Sequence, residues 1–200
     1  MATTQAMQPM VLHQLPELQM SDEQFYQFCQ DNPTWNLERS ATGEILVTAP
    51  TGAATGERNF DLIGQLWLWT KRNSRGKGFD SSMGFRLPNG AVRSPDAAWV
   101  LKSRWEALSP EERQGFPGLC PDFVLELRSP TDLLTTLQDK LQEYLANGTQ
   151  LGWLIDPIEG QVWVYRPEQA VAVLAKPAQV SGDPLLTGFV LDLQDFWTEG

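Results

Sequence analysis

The chain has 200 residues, of which 42% are hydrophobic and 20% charged, and 15 basic against 25 acidic residues give a formal net charge of −10. This length and composition predict one globular domain with its own core and exclude collagen-like, coiled-coil and disordered chains. The negative charge disfavours a protein that adheres to nucleic acid without sequence preference, although an acidic metal site within a basic rim stays compatible with it.

The first twenty residues predict an arm that precedes a domain over residues 21–200. They contain no basic region followed by a long apolar stretch, so we expect neither a secretion signal nor a membrane span. Two cysteines, Cys29 and Cys120, make no disulfide framework and favour a reducing, cytoplasmic location. The single histidine, His13, lies in the arm. Histidine-based zinc sites and Ser-His-Asp triads are therefore disfavoured.

The elements begin with a short helix. Ser21 and Gln24 have the spacing of a capping box, and the helix should end before Pro33. Two short strands are expected near residues 36–40 and 44–48, joined by a glycine-containing turn.

Residues 50–56 are predicted to form a loop, and residues 57–72 a helix. Phe60, Ile63 and Trp67 recur there at spacings of three and four, which predicts that they share the apolar face of this helix. The remaining predicted elements are a mixture of strands and helices. They are extended pieces at 79–87, a strand at 96–101, a helical excursion at 102–118, a strand at 121–128, a helix at 132–147, strands at 151–156, 161–166 and 171–175, and a tail helix at 193–197. This order predicts an α/β domain with a central mixed sheet flanked by helices.

The strand PDFVLELR carries the first candidate site residue. Its side chains alternate between faces, so Phe123, Leu125 and Leu127 should enter the core while Glu126 lies on the other face. A carboxylate within an apolar strand is costly unless something compensates it, and a metal ion is one such compensation.

Asp96 opens the earlier strand SPDAAWVL in a similar way. If the two strands pair, Asp96 and Glu126 come within reach of one hard cation, and oxygen ligands without histidine suit Mg²⁺ or Mn²⁺. Each residue also has a structural interpretation, since Asp96 could cap a turn after proline and Glu126 could pair with a basic neighbour.

Lys140 is the third candidate. On a wheel of the helix at 132–147 it falls at the edge of the apolar face formed by Leu137, Leu141 and Tyr144, whereas Asp139 and the other charged residues lie well away. A lysine held over two carboxylates can orient or deprotonate a water molecule. The alternative is a surface lysine whose stem covers apolar area.

The segments SPDAAWV, PDFVLELRSPTD and LQDKLQEYLANGTQLGWLIDP, in this order and spacing, resemble the Uma-type restriction-endonuclease-like family of the PD-(D/E)XK nuclease superfamily. The resemblance spans residues 20–195. It implies a restriction-endonuclease-like fold, a divalent metal, and hydrolysis of nucleic-acid phosphodiesters. It also implies that Asp96 and Glu126 fill the two acidic motif positions, with the carbonyl of Leu127 as a further metal ligand.

One position departs from the superfamily pattern. A lysine is expected two residues after the glutamate, but Arg128 stands there, and arginine is a poor base. The resemblance implies that the lysine has moved to the following helix as Lys140, with Tyr144 one turn later. Superfamily members also place a polar group from the first helix near the site. Glu57 and Asn59 are the candidates here, with Glu38 weaker, and we favour Asn59.

Three functions remain open at this point. The first is a Mg²⁺-dependent nuclease acting on nucleic acid, for which we expect DNA, with a homodimer as the expected assembly. The second is a catalytically silent module of the same fold that binds a metal or a partner, and the third hydrolyses a small phosphorylated molecule. A basic rim around the site would favour the nuclease, and its candidate residues are Arg58, Lys71, Arg86 and Arg93.

Overall fold

A computed structural model of the chain describes residues 10–12 and 19–197. The helices within these residues are α1 (Asp22–Asp31), α2 (Ala53–Asn73), α3 (Lys102–Glu106) and α4 (Leu134–Ala146). The strands are β1 (Met10–Leu12), β2 (Asn36–Arg39), β3 (Ile45–Thr48), β4 (Gly76–Asp80), β5 (Phe85–Arg86), β6 (Val92–Arg93), β7 (Ala97–Leu101), β8 (Phe123–Leu127), β9 (Leu151–Asp156), β10 (Gln161–Tyr165), β11 (Ala172–Ala175), β12 (Gln179–Ser181) and β13 (Val190–Asp192).

A six-stranded mixed sheet forms the centre of the molecule, in the order β11-β10-β9-β8-β7-β4. Strands β8 and β9 are parallel, and the other neighbours are antiparallel. The parallel pair is joined through α4, since two parallel strands need a long crossover connection. The predicted α/β domain with a central mixed sheet flanked by helices is confirmed.

A second, antiparallel sheet lies beside it, in the order β1-β3-β2-β6-β5. Its first strand belongs to the predicted arm, and Met10 pairs with Val47 of β3. The rest of that segment, including His13, lies outside the described residues apart from residues 19 and 20. A small hairpin, β12 and β13, forms a third sheet that the sequence pattern did not predict.

The two faces of the central sheet bury different partners. One face packs Leu62, Leu66 and Trp69 of α2 against Leu125 and the other odd-numbered residues of β8. The opposite face packs Leu141 and Tyr144 of α4 against Val124 and Leu154. The pleat of β8 therefore follows the predicted alternation, and Glu126 lies on the face that α4 covers.

Several helix predictions require correction. Helix α2 begins at Ala53, within the predicted loop, and its buried positions are Thr55, Leu62, Leu66 and Trp69. Phe60 and Trp67, predicted on the apolar face, are 80% and 57% exposed. The error arose because two apolar stripes run along this helix and only one of them meets the sheet.

Two other segments contain less helix than predicted. Of residues 102–118, only Lys102–Glu106 are helical, and residues 194–197 form a turn. The capping box of α1 is confirmed, because Ser21 accepts from the Gln24 amide and the Gln24 side chain accepts from the Ser21 amide. Both cysteines are free, in agreement with the absence of a disulfide framework.

The faces of α2 can be checked by one pair of substitutions. We expect Leu62→Ala to lower the free energy of unfolding by about 2–5 kcal/mol, because Leu62 is completely buried. Phe60→Ala should change it by less than about 0.5 kcal/mol, because most of this side chain already contacts water. Urea unfolding monitored by circular dichroism measures both, and a larger loss for Phe60→Ala would contradict the assignment.

A second prediction concerns the buried pair of Arg128 and Asp156. Asp156 is fully buried, receives a hydrogen bond from Arg128 at 2.7 Å, and also accepts from the amides of Ile158 and Glu159. Asp156→Ala leaves all three donors without this acceptor, so we expect about 3 kcal/mol of destabilisation in urea unfolding. Glu159→Ala, an exposed neighbour, is the control, and an equal effect of the two variants would contradict this role for Asp156.

Candidate active site

Two carboxylates are brought together by the pairing of β7 and β8. Ala97 lies opposite Leu125 in this antiparallel pair, so Asp96 lies opposite Glu126, one position further along. The Leu127 amide donates to Asp96 Oδ2 at 2.7 Å. Asp96 thus immediately precedes β7 and accepts a hydrogen bond from the last residue of β8.

Helix α4 adds Lys140 to this pair. The Lys140 ammonium lies 2.9 Å from Glu126 Oε1 and 2.9 Å from Glu38 Oε1. One turn later along α4, the Tyr144 hydroxyl donates to Glu126 Oε1 at 3.2 Å. Glu126 Oε1 therefore accepts from both Lys140 and Tyr144 of α4.

Glu38, the candidate that we ranked last, is part of this cluster. It projects from β2 of the second sheet and accepts from Lys140, from Arg93 at 3.1 Å, and from the Ser94 amide at 2.8 Å. Its position depends on how the two sheets meet. A pattern within one strand does not encode how the two sheets meet, which is why Glu38 is only a weak candidate from sequence.

Arg93 extends the network to a second residue of α4. Its Nε lies 2.6 Å from Glu143, whose side chain is 18% exposed. The wheel had placed Glu143 well away from the packed face. Glu143 is nevertheless largely buried, because Arg93 of β6 and Asn89 of the preceding turn bond to it.

Glu38, Asp96, Glu126 and Lys140 line one cavity of about 490 Å³, whereas Tyr144 lies behind them and does not line it. Asp96, Glu126, Leu127 and Lys140 reach it from the central sheet and α4, and Asn59 reaches it from the first turns of α2. Asn59 Oδ1 is buried and has no hydrogen-bond partner among the described residues. The cavity therefore contains an acceptor that the protein itself leaves unused.

Burial and mutual repulsion set the protonation of the cluster. Burial, together with the charges of Asp96 and Glu38, outweighs the attraction of Lys140 and raises the pKa of Glu126 to about 8. Burial also raises the pKa of Asp96, although the Leu127 amide opposes this. An additional cation in the cavity would restore the charged form of both carboxyl groups.

Lys140 and Glu38, in contrast, are stabilised in their charged forms. Burial disfavours the charged form of Lys140, but Glu126 and Glu38 outweigh it and raise the Lys140 pKa. Burial of Glu38 is likewise outweighed by Lys140 and Arg93, so the Glu38 pKa is lowered. Glu38 and Lys140 therefore form the charged pair of this site.

Two predicted site residues lie elsewhere. Glu57 is exposed and lines a different groove, with Asp61 and Asp192, because residues 57 and 59 are about 200° apart on α2. Arg128 follows the last residue of β8, so its side chain no longer obeys the alternation of the strand. It pairs with Asp156 and donates to the Asp132 carbonyl.

The four residues expected to form a basic rim do not surround the cavity. Arg86 is paired with Asp22, and Arg93 with Glu38 and Glu143. The other two side chains lie against aromatic rings, Arg58 against Phe196 and Lys71 against Trp67.

The donor set suits a hydrated divalent cation. Across residues 10–12 and 19–197, no three His, Cys, Asp or Glu side chains are arranged to hold a metal on their own. Among the described contacts, however, Asp96 engages through Oδ2 and Glu126 through Oε1, which leaves one oxygen of each without a partner. Mg²⁺ keeps several water ligands, so two carboxylates and the Leu127 carbonyl are a sufficient protein contribution.

Comparison with known proteins gives the class. Residues 22–194 match the Uma2 family, whose description is "Putative restriction endonuclease". The match covers most of the chain, so the protein belongs to the Uma2 family, and the predicted resemblance is confirmed.

A solved structure supports the same fold. It is described as "a putative nuclease belonging to DUF820" from Anabaena variabilis, is 25% identical, and superposes with a TM-score of 0.67 over 80% of this chain and 89% of that chain. The restriction-endonuclease-like fold is thus confirmed, and the family and this neighbour together support a nuclease function. No curated protein matches the chain. Within the described residues, no helix has the length and apolar character needed to cross a bilayer.

The hydrogen bond between Tyr144 and Glu126 leads to a prediction about stability. Tyr144→Phe removes a buried donor to a carboxyl group, so we expect a loss of about 0.5–1.5 kcal/mol in the free energy of unfolding. Tyr26→Phe is a matched control, because the Tyr26 hydroxyl donates to the Gln114 carbonyl at an exposed position. Thermal and urea unfolding measure both, and indistinguishable stabilities of the two variants would contradict the importance of the buried bond.

Proposed function

We propose that this protein is a divalent-metal-dependent nuclease that hydrolyses phosphodiester bonds of nucleic acid, with DNA as the expected substrate. The observation that carries the proposal is the convergence of Asp96, Glu126 and Lys140 in one cavity, from two neighbouring strands and the helix that follows them. A buried lysine between carboxylates with spare oxygens has the parts that phosphodiester hydrolysis requires.

Asp96, Glu126 and the carbonyl of Leu127 are the proposed ligands of Mg²⁺ or Mn²⁺. When bound, such an ion polarises the phosphate and stabilises the leaving oxygen. Asp96 also accepts a hydrogen bond from the Leu127 amide, so the position of one proposed ligand is coupled to the backbone of another. This coupling keeps the two motif residues in register.

Lys140 is proposed to orient the attacking water and the phosphate. Its ammonium has three donors and uses two of them on Glu126 and Glu38, at 2.9 Å each, which leaves one for a bound group. Asn59 is a proposed site-lining residue, because it lines the cavity and its buried Oδ1 has no hydrogen-bond partner among the described residues. In the reaction, the water oxygen bonds to phosphorus, one P–O ester bond breaks, and the leaving oxygen takes up a proton.

The roles of Glu126 and Lys140 can be separated by two variants. Glu126→Gln should abolish Mn²⁺ binding in calorimetry and lower plasmid nicking at least about a hundredfold, because a ligand is lost. Lys140→Ala should retain metal binding and lower nicking about 10²–10³-fold, because one oriented donor is lost. Glu159→Gln, an exposed carboxyl that does not line the cavity, is the control for the change of charge.

The outcomes distinguish the proposal from its alternatives. Retained nicking in Glu126→Gln, with the protein folded by circular dichroism, would contradict the metal site. Metal binding by the wild type without nicking of any plasmid or oligonucleotide would contradict the nuclease. It would favour a metal- or partner-binding module, for which the neutralisation of Arg86 and Arg93 in ion pairs already speaks. The homodimer stays a prediction, and sedimentation equilibrium measures it.

A further inference from the structure

The exposed side of α2 carries an aromatic stripe. Phe60, Trp67 and Lys71 are separated by seven and four residues, so they fall within about 40° of one another around the helix. Phe60 is 80% exposed and Trp67 57% exposed. Large aromatic side chains seldom remain so exposed without a partner, and the stripe is about 16 Å long from the helical rise.

A cluster of cations continues this stripe at the end of α2. The residues Lys71, Arg72, Arg75 and Lys77 are all exposed, and among the described residues none of them forms an ion pair. This lack of pairing is notable in a chain with 25 acidic residues and a net charge of −10. We call these four residues, together with Phe60 and Trp67, the α2 surface.

The two halves of the α2 surface meet at a groove. Trp67, Lys71 and Lys77 line it, together with Asp80 from the end of β4 and with Lys102, which is paired with Glu106 in α3, and its volume is about 480 Å³. The Lys71 ammonium lies 5.6 Å from the centre of the Trp67 ring. Lys71 therefore covers one face of the indole, and a base would stack on the other face with the cation close by.

We infer that the α2 surface binds a single strand of nucleic acid, with bases stacked on Trp67 and Phe60 and phosphates at the four cations. Aromatic platforms beside a basic track are how proteins hold single strands without reading sequence, because every base has a stacking face and every nucleotide a phosphate. A duplex offers phosphates but keeps its bases stacked internally. An acidic or apolar protein partner would use only one half of the surface.

The α2 surface lies close enough to the candidate active site for one nucleic-acid strand to contact both. Asn59, which lines the catalytic cavity, precedes Lys71 by twelve residues on α2, or about 18 Å along the helix. The loop after β4 returns from the cations to the same cavity through Ser81 and Ser82. The inference rests on the proposed nuclease function in one respect, that the strand held here is its substrate.

Fluorescence anisotropy with a labelled 20-nucleotide DNA, in EDTA so that no cutting occurs, tests the inference. The wild type should prefer the single strand over the duplex of the same sequence. Trp67→Leu should weaken single-strand binding about 5- to 150-fold, whereas Trp67→Tyr should retain most of it. An apolar partner surface would tolerate leucine as well as tyrosine, so this pair isolates stacking.

The contribution of the four cations is tested by the salt dependence of single-strand binding. Four phosphate contacts predict a slope of about −3 for log K against log salt concentration, and Lys71→Glu should reduce its magnitude by about 0.7 or more. Lys176→Glu makes the same change in net charge at the opposite edge of the central sheet, next to β11, and should leave the slope unchanged. Each substitution is at an exposed position, and circular dichroism checks the fold.

Equal affinities of the wild type, Trp67→Leu and Lys71→Glu for the single strand would overturn the inference, as would an equal loss in Lys176→Glu. A preference for duplex DNA that is indifferent to Trp67 would overturn it as well. Failure of the proposed nuclease function appears separately, as absence of nicking with Mg²⁺ or Mn²⁺, while the binding results in EDTA stand unaffected.

Discussion

The pair of contacts that Lys140 makes is the interaction on which the site depends. Its ammonium lies 2.9 Å from Glu126 of the central sheet and 2.9 Å from Glu38 of the second sheet, so one side chain of α4 connects both sheets. Three carboxyl groups crowd this buried region, and their repulsion would be costly without an internal cation. The arrangement therefore serves the fold as well as the proposed chemistry. This dual role explains why a charged lysine is found under a helix whose other charges face solvent or Arg93.

Much of the fold follows from local pattern. The strand alternation in β8 predicts which side chains meet α2 and which meet α4, and the capping box of α1 places a helix start at Asp22. The wheel of α4 identifies Lys140 as a charge on the packed side. These features depend on residues close in sequence, where the 2.0 and 3.6 periodicities apply directly.

The failures of prediction have a common physical origin, which is contact between distant elements. Phe60 and Trp67 match the helical period as well as Leu62 and Leu66 do, and only the position of the sheet decides between the two stripes. Glu38 enters the site because β2 and β6 bring Arg93 and Ser94 beside it. Arg128 leaves the site because β8 ends at Leu127 and buried Asp156 attracts the guanidinium. Sequence spacing carries none of this information.

Helix α2 also acts as a mechanical element. It is 21 residues long, contributes Asn59 to the cavity near one end, and carries Lys71 near the other. Since a helix behaves as a stiff rod, a tilt of about 5° about its far end displaces Asn59 by about 1.8 Å. Displacements of about 1 Å in a reacting group can cost two orders of magnitude in rate. The packing of Leu62, Leu66 and Trp69 against the sheet therefore holds the orientation of α2. Through that orientation it sets the position of Asn59 in a cavity that none of these three side chains lines.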